Sequence, residues 1–503
     1  MSATAGVAVC ASSLGELAER VAVPAYDRSR LTEGVVHLGV GGFHRAHQAL
    51  YHDELLAAGE REWAICGVGV LPADRRMQEA LDPQDGLYTL VVRSGDDETA
   101  RVIGSITRYC LAPDDAEATI EKLAAETTRI VSLTVTEGGY NLSDVTGEFD
   151  PDNPDVAHDL EAGATPRTTF GLVTEALARR RERGIAPFTV MSCDNLQGNG
   201  RLARLAFTTF ARLRDPALGA WVDDAVAFPN SMVDRITPAT TEADRRDVRE
   251  RFGVVDRWPV VCEPFTQWVL EDAFCAGRPP YDEVGVQVVS DVEPYELMKL
   301  RLLNASHQAL AYFGHLLGHE YVHEAAQDPL LRAFVRAYMD EEATPTLAPV
   351  PGVDLDDYKR TLIERFSNEG VRDTVARLAA ESSDRIPKWL VPVIRVQLET
   401  GGQVRLSAAV VASWARYAEG TDEQGRPIEV VDRLRDEVTE LARRAREDPD
   451  VFIANRDLFG DLAESERFAH AYRDALTSLY ERGARETLVT LTTEGETAWP
   501  RSS

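Results

Sequence analysis

His37-Leu38-Gly39-Val40-Gly41-Gly42-Phe43-His44-Arg45-Ala46-His47 is the stretch that decides the fold. It follows the β-branched apolar run Val35-Val36-His37-Leu38 and leads into a helical pattern from about Arg45 to Ala58. Strand, glycine turn and helix in that order suit dinucleotide binding. The turn is tight, the backbone must approach a pyrophosphate closely, and free N–H groups at the helix start attract negative charge. Alone, the G-x-G spacing is weak, because glycine fills 35 of 503 positions and Gly67-Val68-Gly69 repeats the triplet nearby. The strand before it and the helix after it supply the weight. A plain strand-to-helix turn is the competing reading, and His44 stands where the fingerprint has its third glycine. The fingerprint's acidic residue, expected ~20 residues further on, has Asp74 as its nearest candidate. Arg75 and Arg76 beside it suit a 2′-phosphate, so NADP stays open beside NAD.

Outward from the turn, apolar runs alternate with amphipathic stretches. Ala64–Val68, Ile130–Val135 and Phe188–Ser192 read as strands, with helices near Ala116–Glu126 and Thr169–Arg183. Leu87–Val92 and Arg101–Gly104 read as a hairpin around the turn-rich Ser94-Gly95-Asp96-Asp97. Strands separated by helices imply βαβ units and a largely parallel sheet. From Tyr295 the period turns helical, for example over Leu330–Met339, Tyr358–Phe366, Val371–Ala380, Leu406–Ala418 and Val431–Arg446. The expected architecture is therefore α/β, with a Rossmann-type domain over residues 1–290 and a mostly α-helical domain over 291–503. There is no repeat and no low-complexity tract.

Composition narrows the class. The chain carries 54 basic and 83 acidic side chains, a formal charge of −29. Such a field repels phosphate backbones and anionic membrane surfaces. The six cysteines never form a CxxC pair, so zinc knuckles and small disulfide frameworks are not expected, and buried free thiols are the default. No signal-peptide pattern and no run of 18 apolar residues occurs, which points to a cytoplasmic protein.

The second informative segment is Tyr295-Glu296-Leu297-Met298-Lys299-Leu300-Arg301-Leu302-Leu303-Asn304-Ala305-Ser306-His307-Gln308. On a helix of ~100° per residue with Lys299 at zero, Glu296 falls at about 60°, His307 at about 80° and Asn304 at about 140°. One arc of an apolar helix thus gathers a lysine, an amide, an imidazole and a carboxylate. Desolvation among leucines lowers a lysine's pKa toward general-base range, and an amide stabilises an alkoxide without changing charge. A polar stripe that merely faces solvent is the alternative.

Together the two segments resemble the polyol-specific long-chain dehydrogenases, the family of mannitol dehydrogenases and fructuronate reductases. Further matching motifs are Ser192-Cys193-Asp194-Asn195, Phe228-Pro229-Asn230-Ser231-Met232-Val233-Asp234-Arg235-Ile236-Thr237-Pro238 and Ile386-Pro387-Lys388. The resemblance implies NAD as cofactor, no metal, and a small polyol or ketose as substrate. It implies Lys299 as general base, Asn195 and Asn304 as the pair that holds the alkoxide, and His307 as the residue that positions the reactive oxygen. Asp234 and Arg377 match positions that bind outer hydroxyls, and Glu296 resembles a proton relay from the base to water. Gly39, Gly41, Gly42, Phe43, Arg45 and Asp74 are the expected cofactor contacts. The implied reaction interconverts D-mannitol and D-fructose in a monomer or small homo-oligomer.

Eight residues after Arg377, where mannitol-oxidising relatives are expected to carry lysine, this chain has Arg385. Arginine suits bidentate contact with a carboxylate, which keeps a fructuronate or tagaturonate reductase open as an alternative, beside an arabinitol dehydrogenase. A cofactor-binding sugar sensor without activity is the reading from another class. The intact Lys299/Asn304/His307 set argues against it.

Overall fold

The computed structural model describes residues 6–142 and 147–493. The chain divides after Glu293 into two compact units. In the first, β1 (Val35–Leu38), β2 (Ile65–Gly69), β3 (Ile106–Leu111), β4 (Ile130–Leu133) and β5 (Thr189–Ser192) form one parallel sheet in the order β3-β2-β1-β4-β5. Every residue of β1, β2, β4 and β5 is buried. Burial on both faces is why these strands read as continuous apolar runs rather than alternating ones. The connecting helices are α1 (Gly42–Ala46), α2 (Arg75–Leu81), α3 (Ala116–Ala124) and α4 (Thr169–Glu182). Asp115 caps α3 by accepting from the Ala118 amide, and Thr168 caps α4 by accepting from that of Gly171. The sheet grows from β1 to one side and then resumes on the other at β4. That reversal opens a crevice at the carboxyl ends of β1 and β4, the place where doubly wound folds bind ligands.

Two features of this unit depart from the expected pattern and one agrees with it. The helix expected over Arg45–Ala58 is two helices, Gly42–Ala46 and Gln48–Ala58, broken at His47 (φ −123, ψ −90). The expected hairpin forms, Tyr88–Ser94 against Asp97–Ile103, in a separate small sheet with Val260–Cys262 added parallel to its first strand. Another small sheet pairs Gln267–Glu271 with Ser231–Asp234 and Gln287–Val289, strands that the periodicity did not reveal. The unit also contains α5 (Glu242–Phe252), capped by Thr241 and Asp244.

The second unit is helical among its described residues. Its centre is α6 (Ala305–Leu316), in which all residues but His315 are buried. It packs against Val375–Ala379 and α7 (Arg405–Ala418), and α7 packs against α8 (Glu466–Thr493), which kinks at Gly483. The segment before α6 departs from the expected continuous helix. Glu293–Met298 is α-helical, Lys299–Asn304 is a π-helix, and the α-helix resumes at Ala305. The Ala305 amide donates to the Leu300 carbonyl, five residues back. A constant 100° step therefore does not carry across this segment. The wider turn aligns residues five apart, and π-turns of this kind cluster at functional sites.

Candidate active site

At the carboxyl end of β1, Gly39 has φ 91, a left-handed conformation that favours glycine. A Cβ there would lie 2.2 Å from the Thr134 carbonyl oxygen, so the close approach of β1 to β4 also demands glycine. Thr134 Oγ1 donates to the Gly39 carbonyl at 2.7 Å. Gly41 differs. Its φ of −117 suits any residue, and the nearest atom to an added Cβ is 3.9 Å away. The fold itself does not require glycine there. Space beside the backbone, followed by a helix start that no side chain caps, is what a pyrophosphate needs. These residues therefore fit a dinucleotide.

The residue replacing the third fingerprint glycine has a structural explanation. His44 stacks on His37 of β1, with ring centroids 3.5 Å apart and planes at 11°. Helix and strand here approach through two stacked imidazoles instead of a glycine. His37 bonds to Ser132 (2.8 Å) and Thr134 (2.9 Å), whereas neither His44 ring nitrogen has a hydrogen-bond partner. Burial presses the His37 pKa down to about 3 and that of His44 well below its ordinary value. Both rings are thus neutral, and the turn carries no positive side chain from them.

The other expected cofactor residues divide. Phe43 is half-buried and stacks on His47 at 5.0 Å. A Cβ added at Gly42 would meet only Thr237 at 3.8 Å and Val260 at 4.0 Å, so packing does not require glycine there. Arg45 is fully buried and faces inward: it donates to the Trp258 carbonyl and, at 3.3 Å, to that of Gly41. Its guanidinium also lies over the Tyr88 and Trp258 rings. Its bonds thus brace the turn. Asp74 accepts from the Val70 and Leu71 amides at 2.9 Å each, closing the loop after β2. Arg75 forms a bidentate pair with Asp114, while Arg76 donates only to the Ala73 carbonyl.

Asn195 lies exposed just beyond β5. Sequence reasoning passed over its neighbour. Asp194 is buried and accepts from the amides of Val135 (3.2 Å) and Thr136 (2.8 Å) and from the Tyr140 hydroxyl (2.7 Å). This carboxylate ties the loop after β4 to the loop bearing Asn195. Its only sequence signal was adjacency to Asn195 in the Ser192–Asn195 motif. Asp234 is buried at the end of its strand, opposite Gln267. Asn230 accepts from the Gly200 and Arg201 amides, so part of the Phe228–Pro238 motif is scaffolding.

In the helical unit, Lys299 and Asn304 are the first and last residues of the π-turn, and both are buried. Asn304 Oδ1 has no hydrogen-bond partner. Leaving a buried amide oxygen unpaired costs about 1–3 kcal/mol, a cost that a ligand removes by bonding to it. His307 follows in α6, also buried, with its ring 4.7 Å from that of Phe366. Glu296 is buried one turn before Lys299. The π-turn and α6 thus bring the four polar groups of the lysine segment onto one continuous helical rod. Arg377 is exposed and bidentate with Asp373. Arg385 donates to the carbonyls of Arg377 (3.2 Å) and Leu378 (2.9 Å), with its guanidinium over Trp389. Among the described residues there is no cluster of three or more His, Cys, Asp or Glu that could hold a metal ion. Among them, too, no helix is long and apolar enough to cross a membrane.

Comparison with known proteins gives matches along both units. Residues 33–283 match the mannitol dehydrogenase Rossmann domain, and residues 291–480 the mannitol dehydrogenase C-terminal domain. A mannitol 2-dehydrogenase of Aspergillus fumigatus (strain CBS 144.89 / FGSC A1163 / CEA10) is 48% identical over 93% of this chain and 95% of its own. The structure of Pseudomonas fluorescens mannitol 2-dehydrogenase in ternary complex with NAD and D-mannitol is 46% identical. It covers 97% of this chain and 100% of its own, with a TM-score of 0.90. A D-sorbitol dehydrogenase in substrate-free form is 36% identical over 95% of this chain and 100% of its own, with a TM-score of 0.88.

Proposed function

The chain belongs to the mannitol dehydrogenase family, and from that premise we propose that it is an NAD-dependent polyol dehydrogenase interconverting D-mannitol and D-fructose. The observation that carries this reading is the π-turn that begins with buried Lys299 and ends with Asn304, whose amide oxygen is buried and unpaired. NAD, when bound, supplies the hydride acceptor, and the open backbone at Gly41 with the uncapped start of α1 supports its binding. This chain's residues do the rest. Lys299, neutral, accepts the proton of the C2 hydroxyl; Asn304 and Asn195 steady the oxygen as negative charge grows; His307 orients it. Glu296, one turn before the base, passes the proton onward. In reduction the same lysine returns the proton. Asp234 and Arg377 bind the outer hydroxyls in this account.

The reading from Arg385 toward a uronate is weaker. Its Nη1 is committed to two main-chain carbonyls and its Cζ lies over the Trp389 ring, 5.5 Å from the centroid, which leaves less of the fork for a substrate carboxylate. All six cysteines are free, and the Cys66 and Cys110 sulfurs share a hydrogen bond at 3.8 Å, an arrangement of thiols that supports a reducing, cytoplasmic setting. The deciding experiment follows NADH oxidation with fructose, fructuronate, tagaturonate and xylulose in parallel. Fructose should give the highest kcat/KM. A preference for either uronate would replace the proposal, and no turnover with any would favour a sensor.

A further inference from the structure

A second concavity lies in the N-terminal unit, about 770 Å³ in volume, bounded by α2, α5 and residues 255–258. Five arginines line it: Arg76 from α2, Arg245, Arg246 and Arg249 from α5, and Arg257. The acidic residues beside them balance this charge only in part. Glu242 is paired with Arg245 at 2.7 Å. Asp256 is buried and accepts from the Thr89 and Trp258 amides and from Gln84. Glu79 remains as the one lining carboxylate without such a partner. Arg76, Arg246, Arg249 and Arg257 form no ion pair among the described residues, and the buried Arg245 Nε has no hydrogen-bond partner.

This arrangement opposes what the rest of the chain does. The protein carries a net charge of −29, and most of its arginines are paired with carboxylates. On α5, Arg245 and Arg249 are four residues apart and Arg246 and Arg249 three, spacings at which like charges destabilise a helix. An unpaired cationic group in a concave wall concentrates positive potential and draws anions. The volume is that of a small-molecule site. Trp258 gives it one flat wall, with the buried Arg45 guanidinium 5.9 Å from the ring.

We propose that this pocket binds a terminal phosphate group of a small molecule through the guanidinium groups of Arg76, Arg246, Arg249 and Arg257. Guanidinium forks match phosphate oxygens two at a time, which lysine does not. Two sources offer that chemistry. One is the 2′-phosphate of NADP, because Arg76 stands two residues after Asp74, in the first turn of α2, beside the end of β2 where dinucleotide folds read the ribose. The other is a free phosphorylated metabolite. This inference is independent of which polyol the enzyme oxidises.

The test is isothermal titration of the full chain with 2′-AMP, inorganic pyrophosphate and NAD+, using the wild type and an Arg246→Gln/Arg249→Gln variant. Both side chains are exposed, so the variant is expected to fold. At least one of 2′-AMP and pyrophosphate should bind, and its affinity should fall at least about tenfold in the variant, while NAD+ affinity changes less than about twofold. Tighter binding of 2′-AMP than pyrophosphate identifies the dinucleotide phosphate as source; the reverse order identifies a free phosphate compound. Absence of binding by both, or equal binding by both proteins, overturns the pocket. Loss of NAD+ binding by the wild type would instead strike the dehydrogenase reading, so the two failures are distinguishable.

Discussion

Acidification should unfold the N-terminal unit through its buried histidines. His37 and His52 are fully buried, and burial holds their pKa values down to about 3 and about 4. In the unfolded chain both return to about 6.5. Below that value the unfolded state takes up protons that the folded state refuses, so stability is present above about pH 6.5 and is lost as pH falls toward the folded values. At pH 5 each group lies about 1.5 units below its unfolded pKa, which costs about 2 kcal/mol apiece at 1.36 kcal/mol per unit. The pair together costs about 4 kcal/mol, a large share of the 5–15 kcal/mol of a typical fold, and His44 adds a contribution of the same sign. The assay is urea unfolding at pH 7, 6 and 5, in the wild type and in His37→Gln/His52→Gln. The variant loses the His37 bonds to Ser132 and Thr134 and the His52 bonds to the Trp63 carbonyl and Tyr281, so its absolute stability falls. Its dependence on pH should nevertheless be shallower by about 2.4 kcal/mol between pH 6 and 5. Carboxylates titrate alike in both proteins and cancel from the comparison. Equal slopes would refute the reasoning.

Gly39→Ala places a methyl group against the Thr134 carbonyl at a left-handed φ, and should cost about 3 kcal/mol or more in thermal unfolding; a loss under 1 kcal/mol would contradict the geometry. In the helical unit the pH dependence runs the other way at Glu342. Burial pushes its pKa up to about 7, although the Leu406 and Ser407 amides and the Ser407 hydroxyl donate to it. Its contribution is complete below about pH 4.5 and lost as pH rises toward 7, about 3 kcal/mol in all, and Glu342→Gln should flatten that part of the urea profile between pH 5 and 8. Asn304→Ala should lower kcat by about 10²-fold with a smaller change in KM, as befits a contact that strengthens as charge develops; a pure KM effect would count against it.

Much of the fold was legible because a buried parallel strand is a short apolar run, as in β1, β2, β4 and β5; β3, Ile106–Leu111, was missed because Thr107 and Arg108 interrupt its pattern and it is only partly buried. The strands Ser231–Asp234 and Gln267–Glu271 were not legible, because each is short and its pairing depends on residues distant in sequence. The break at His47 was hidden too, since its neighbours keep helical character on both sides. The glycine turn was recognisable by order alone, but the reason His44 replaces a glycine lay in its stacking on His37. The lysine segment shows a subtler limit. Its residue types pointed to the chemistry, whereas the angular argument assumed one helical step, and the π-turn changes the phase between Lys299 and Asn304. Arg45 and Asp74 carried the right motif, yet their bonds support the backbone. Nor did charge counting reveal the arginine pocket, because a net charge of −29 says nothing about where the positive groups converge.

The central claim is that Lys299 serves as the base of an NAD-dependent polyol oxidation. Its most direct test mixes NAD+ and D-mannitol with the wild-type protein and with Lys299→Ala, follows NADH formation, and titrates NAD+ into both by calorimetry. The account predicts turnover by the wild type, a loss of about a thousandfold in kcat for the variant, and equal NAD+ affinity in the two. Near-normal kcat in Lys299→Ala would contradict it.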